Sequence, residues 1–193
     1  MLVGTTTSVV GSSVPEHRPY RGKTLVEIGR MMGNISPEQA VVELLVSGKS
    51  PQAAFGSMNE ENLERILADP HVVCGSDSSI RAKTSRGGHP RAFGSFPLFF
   101  RMASKKCSYA DVIRRMTSLP AAKFNIRGRG VVAPGYFADL VLLDLDRYDS
   151  KADFAVANRK PTGVEAVYVN GKLAYSPDPE IKTTRPGRVL RIK

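Results

Sequence analysis

Asp69-Pro70-His71-Val72-Val73-Cys74-Gly75-Ser76-Asp77 is the stretch on which the reading of this sequence turns. Asp69-Pro70 closes a helical period, because proline disfavours helix at the residue before it and donates no amide. His71 to Gly75 is a short, nearly continuous apolar run, the pattern of a strand covered on both faces in a parallel sheet. Ser76-Asp77 opens a polar loop directly after it. Helix, strand and loop in that order make one βα step of an α/β protein. A carboxylate at the C-terminal end of such a strand, here Asp77, stands where barrel and doubly wound enzymes put reacting groups. Position alone leaves two readings of Asp77 open, catalysis or capping of the turn that follows.

Upstream of this step the chain is loop-rich to residue 35, with a short helix expected over Thr24 to Met32. Ser36-Pro37-Glu38-Gln39 is a helix start with a mechanism: a serine cap, a proline that has no amide to waste, and a glutamine able to reach back. Gly48 is expected to stop that helix. A second helix is expected from Asn59, burying Leu63, Ile66 and Leu67 before Asp69-Pro70 ends it. Downstream, residues 76–96 read as a long loop, with a helix starting at Phe96-Pro97 and running to about Met102. Ser108 caps a helix to Met116, and Leu119 to Phe124 continues it. After Gly128 the pattern turns to strands. Asp139 to Asp144 encloses Leu140-Val141-Leu142-Leu143, Val164 to Val169 and Lys172 to Tyr175 flank the hairpin dipeptide Asn170-Gly171, and Gly187 to Ile192 reads as a last strand.

The totals exclude several classes. A chain of 193 residues with 41% hydrophobic and 24% charged content can bury a core, so disorder is not expected. The net charge of +10 invites a polyanion, but the basic clusters are scattered and lack the interleaved aromatics of a single-strand binder, so nucleic acid is not the expected partner. No apolar run reaches the roughly 20 residues of a membrane span. Cys74 and Cys107 cannot make a disulfide framework, and Cys74 reads as a small buried hydrophobe. With no basic, apolar leader in Met1 to Val10, a reducing cytoplasm is the expected compartment. His17, His71 and His89 lack the close spacing that would put two imidazoles on one metal.

A set of short segments adds a family. Gly75-Ser76-Asp77, His89-Pro90-Arg91, Gly94-Ser95-Phe96-Pro97 and Met116 to Phe124 resemble, in order, the C-terminal half of the N-acyl-D-amino-acid deacylases. Arg129-Gly130, Pro134-Gly135-Tyr136-Phe137-Ala138-Asp139-Leu140-Val141, Val167 to Gly171 and Arg185 to Arg191 continue the resemblance. The Pro-Gly-x-x-Ala-Asp-Leu-Val and Val-Asn-Gly segments are shared across metal-dependent amidohydrolases, including dihydroorotases and hydantoinases. His-Pro-Arg and Gly-Ser-Phe-Pro narrow the resemblance to the deacylase branch.

The resemblance implies the C-terminal part of a (β/α)8 barrel in residues 1–127, with 128–193 supplying strands of a small β-sandwich. It implies a zinc enzyme that hydrolyses the amide of N-acyl-D-amino acids, with Asp77 as catalytic carboxylate and metal-associated residue at the end of the last barrel strand, residues 71–76. Arg91 is the candidate clamp for the substrate carboxylate, since a guanidinium meets a carboxylate in two parallel bonds; the alternative is a surface arginine. Arg81 and Arg86 are weaker candidates, and His89 is expected to structure the loop. The family's Gly-Leu-Pro after the aspartate is Ser78-Ser79-Ile80 here, which leaves substrate preference open. A barrel of this type takes about 250 residues, so the chain is expected to be a fragment or one half of a split enzyme. Such a piece is expected to be inactive without its missing N-terminal barrel portion and sticky or oligomeric through the surface left bare. The other readings are a cyclic-amide hydrolase and a non-catalytic basic binding module.

Overall fold

The computed structural model describes residues 8–11, 15–47, 52–56, 59–79 and 89–191. Gly48, Arg81, Arg86, Ile192 and the segment before Ser8 lie outside the described residues. The elements in chain order are β1 (Ser8–Gly11), a 3-10 helix (Pro15–Tyr20), α1 (Leu25–Met31), α2 (Pro37–Val46), β2 (Gln52–Ala54) and α3 (Glu60–Ala68). Then follow α4 (Arg91–Ala103), α5 (Tyr109–Met116), α6 (Ser118–Lys123), β3 (Leu140–Leu143), β4 (Val164–Val169) and β5 (Lys172–Tyr175). The described chain is α/β, and none of its helices is long and apolar enough to cross a membrane. It forms two compact units.

The first unit comprises residues 1–60, 76–94 and 151–160. Its helices start as their caps dictate. Ser36 Oγ accepts from the Gln39 amide at 3.2 Å while Gln39 Oε1 accepts from the Ser36 amide at 3.1 Å, the reciprocal box expected from the sequence. Thr24 and Glu27 build the same box on α1, with the Glu27 carboxylate accepting from the Thr24 amide at 2.8 Å. The two helices bury Leu25, Ile28, Ala40 and Leu44 against Val9 of β1. That contact needs Gly29, where a Cβ would strike the Ile35 carbonyl. Ser47 Oγ donates to the Leu44 carbonyl at 2.7 Å and therefore accepts from Nε2 of the buried His17 at 2.8 Å. The antiparallel pair of β1 with β2 was not expected from the sequence, because strands of four and three residues are too short to show a period.

The second unit comprises residues 61–75, 95–150 and 161–193. Leu67, Phe99, Phe100, Ala103, Val112 and Tyr148 form its core, with the Phe100 ring 5.4 Å from that of Tyr148. Burying a side chain of this size contributes about 1.5–3 kcal/mol. The antiparallel sheet runs β3-β4-β5. Asn170 and Gly171 turn the β4-β5 hairpin with φ of 49° and 76°, the left-handed pair that the Asn-Gly dipeptide supplies. Gly163, at φ 70°, accepts the Asp144 amide through its carbonyl at 2.9 Å.

Asp139 knits the sheet to the segment before it. Its carboxylate pairs with Arg129 and accepts the Asn170 amide at 2.8 Å. Arg129 also donates to Asn170 Oδ1 at 2.6 Å, and Asn170 Nδ2 donates to the Pro186 carbonyl at 2.7 Å. Partial burial pushes the Asp139 carboxyl up, but the Asn170 amide and the Arg129 guanidinium outweigh it and hold the group below its ordinary value.

Three expectations are corrected. Residues 71–76 form no strand, because a parallel strand needs neighbours to complete its ladder and none lies beside it among the described residues. Side chains instead meet carbonyls in and just before this segment: Arg115, with no exposed surface, donates to Leu67 O and Val72 O at 2.7 Å each, and Arg114 donates to Pro70 O at 2.7 Å. Gly187 to Arg191 likewise pairs with no strand. Finally, α4 begins at Arg91 rather than Phe96 and runs through Pro97, losing the one amide bond that proline cannot make.

Two outcomes test these interactions. Arg115→Met should cost about 2–4 kcal/mol, read as a lower urea midpoint at unchanged slope; an unchanged midpoint would show that the buried guanidinium holds nothing. The low Asp139 value means its contribution is complete above the unfolded value of 3.8 and is lost as pH falls through the lower folded value. The stability gap between wild type and Asp139→Asn should therefore be full at neutral pH and close in acid below that point. A gap that stays constant with pH would remove the ionised carboxylate from the account.

Candidate functional site

Asp77 follows Gly75-Ser76 and adopts φ of 46°. That left-handed conformation is uncommon outside glycine, and aspartate and asparagine tolerate it best. Its side chain is 90% exposed, so the carboxylate is presented to solvent rather than packed. Arg91, the first residue of α4, reaches it with Nη1 at 2.9 Å from Oδ2. The two residues singled out from the sequence thus meet as one ion pair. In the exposed setting of this pair, such a contact is worth only about 0–1 kcal/mol, so it arranges the side chains more than it holds the fold.

His89 sets the direction of Arg91. Its Nδ1 accepts the Arg91 amide at 3.1 Å, while the carbonyl of Pro90 accepts the Phe93 and Gly94 amides. This is a helix entry built from His-Pro-Arg, with an imidazole doing what a serine does elsewhere. An accepting Nδ1 carries no proton. Desolvation, and then the Arg91 charge, hold the His89 pKa below its ordinary 6.5, which favours that state. The ring also stands edge-on to Phe154, centroids 5.1 Å apart. His89 is thus engaged at the entry to α4 through the Arg91 amide.

The other histidines are elsewhere engaged. His17 is buried against Ser47, and the exposed His71 lies 3.2 Å from Asp69 Oδ1 through Nδ1. Among the described residues no three His, Cys, Asp or Glu side chains come together as a metal site. The donor set of this chain does not by itself fit zinc, which takes three or four protein ligands dominated by histidine and cysteine; Asp77 offers one oxygen donor. Burial pushes the Cys74 thiol up to about 11. It packs against the core of the second unit, as a small hydrophobe would.

Sequence reasoning missed Arg115 and the Arg129-Asp139-Asn170 network. Arg115 lay unremarked among the scattered basic clusters, though its spacing from Asp111 carried a usable sign: Asp111 lies one turn before it, 3.8 Å from Nη1. The network joins residues 41 positions apart in the chain, beyond any local pattern.

Comparison with known proteins fits these features. The amidohydrolase family model matches residues 16–175. The chain is 32% identical over 172 residues to the D-aminoacylase of Alcaligenes xylosoxydans xylosoxydans, covering 88% of this chain and 34% of the relative. It is 30% identical over 172 residues to the N-acyl-D-aspartate deacylase of the same organism, covering 88% of this chain and 33% of the relative. In structure it resembles N-acyl-D-glutamate deacylase from Bordetella bronchiseptica, solved with zinc and a phosphonate mimic of the tetrahedral intermediate. The TM-score is 0.75 at 28% identity over 99% of this chain and 39% of that one. The chain spans about a third of the length of the curated relatives it matches. With the family model matching most of its length, this chain belongs to the amidohydrolase family.

Proposed function

We propose that this chain carries the catalytic aspartate of a zinc-dependent amidohydrolase that cleaves the amide bond of N-acyl-D-amino acids. The observation that carries the reading is the similarity to D-aminoacylase along 88% of the chain, beside which Asp77 and Arg91 meet at 2.9 Å. In this reading residues 1–127 supply closing βα units of a (β/α)8 barrel and 128–193 supply β-sandwich strands. The rest of the barrel is then the chain's obligatory partner, and oligomers form through the apolar surface it would cover. Two free cysteines support a reducing, cytoplasmic setting.

The role of Asp77 follows from its chemistry. An exposed carboxylate without a packed environment can take a proton from an attacking water and deliver it to the departing amine nitrogen, the two transfers that amide cleavage needs. A zinc ion bound beside it would supply the complementary effect by lowering the pKa of a water to about 7. Asp77 would be one oxygen donor to it, with the remaining ligands contributed from outside this chain.

Arg91 is proposed to bind the substrate α-carboxylate. A guanidinium carries five N–H donors in a rigid fork, so holding Asp77 through Nη1 is compatible with receiving a second carboxylate. The ion pair would then set the distance between the proton-transferring group and the substrate's charged end, which favours an open-chain acyl amino acid over a cyclic amide without a carboxylate.

The test joins this chain to the preceding two-thirds of the Alcaligenes D-aminoacylase and assays N-acyl-D-amino acids with zinc. Asp77→Asn should lower kcat by about 10²–10⁴ with an unchanged circular dichroism spectrum; near-normal turnover would end its catalytic assignment. Arg91→Ala should raise KM by roughly 10–100-fold with a smaller effect on kcat. A loss confined to kcat would remove the substrate-clamp role. Turnover of cyclic amides with none of acyl amino acids would replace the substrate class.

A further inference from the structure

A second feature, independent of the amidohydrolase reading, lies in the second unit. A cleft of about 450 Å3 is lined by Arg127, Arg129, Arg188 and Arg191 together with Phe137 and Ile126, and no aspartate or glutamate contributes to its wall. Four guanidiniums around one small space repel one another unless something negative lies among them. Arg129 is already neutralised: it pairs with Asp139, donates to Asn170 and lies 4.2 Å over the Phe137 ring. Among the described residues Arg127, Arg188 and Arg191 have no ion-pair or hydrogen-bond partner.

The walls are built rather than incidental. Phe137 is tied back by its amide, which donates to the Gly128 carbonyl at 2.9 Å. The arm that carries Arg188 and Arg191 is anchored twice: the Thr184 amide donates to the Leu173 carbonyl at 2.9 Å, and Asn170 Nδ2 donates to the Pro186 carbonyl at 2.7 Å. The same asparagine that receives Arg129 therefore fixes the arm opposite it. A sheet hairpin thus brings arginines some 60 positions apart in sequence to one cleft.

We propose that this cleft binds a compact multivalent phosphate, either free pyrophosphate or the phosphate chain of a nucleotide. Guanidinium forks match phosphate oxygens in paired bonds, and three uncommitted cations call for more negative charge than one carboxylate carries. The small volume favours a short anion over a polymer.

Isothermal titration of the 193-residue chain with inorganic pyrophosphate at low salt tests it. Saturable binding is expected, weakened by about tenfold or more in each of Arg127→Ala, Arg188→Ala and Arg191→Ala. Arg159→Ala, whose guanidinium pairs with Asp153 elsewhere, should bind as wild type. All four side chains are exposed, and circular dichroism confirms that the variants fold. Binding of ATP tighter than that of pyrophosphate assigns the nucleotide as source, whereas equal binding assigns the free anion. Absence of saturable binding, or equal weakening in Arg159→Ala, overturns the proposal in favour of general attraction to a basic chain. Oligothymidylate binding that pyrophosphate does not displace overturns it in favour of nucleic acid.

Discussion

A guanidinium with no exposed surface is the constraint on which the second unit depends. Removing an arginine from water costs several kcal/mol, which only close partners offset. Arg115 finds them in two carbonyls at 2.7 Å, the Asp111 carboxylate at 3.8 Å and the Phe99 ring 5.0 Å away, leaving Nη2 buried without a hydrogen bond. One of the carbonyls, that of Leu67, belongs to the last turn of α3, where acceptors lack an intrahelical partner and positive charge is favoured. The other, that of Val72, lies where a sheet neighbour would normally donate. A single side chain thus ends a helix and satisfies the segment that follows it.

This substitution of a side chain for a ladder explains where the sequence could and could not be read. Capped helices were legible because their signals are local: Ser36 with Gln39 and Ser108 with Asp111 close their bonds within three residues. The Asn170-Gly171 hairpin was legible for the same reason. The run His71 to Gly75 was misread because its apolar pattern specifies burial, not the presence of partner strands. The start of α4 was misread because Pro97 looked like a first-turn proline, while the actual entry used His89, whose imidazole is not a residue type associated with caps.

For the candidate site, the residue types were legible and their relation was not. Asp77 was chosen for its place after an apolar run and Arg91 through the family resemblance and the carboxylate it implies; that they meet at 2.9 Å needed a backbone turn that no local pattern encodes. The positive φ of Asp77 is the local price of that meeting.

The hairpin dipeptide Asn170-Gly171 carries a last consequence, concerning chemical ageing. Asn-Gly sequences deamidate when the glycine nitrogen attacks the asparagine carboxamide, a reaction that needs both groups free to turn toward each other. Here the Gly171 amide donates to the Ala138 carbonyl at 3.0 Å, and both ends of the Asn170 carboxamide are held, by Arg129 and by Pro186. The folded sheet withholds the nucleophile and fixes the electrophile. Accumulated isoaspartate at this position would therefore record how much time the sheet had spent open.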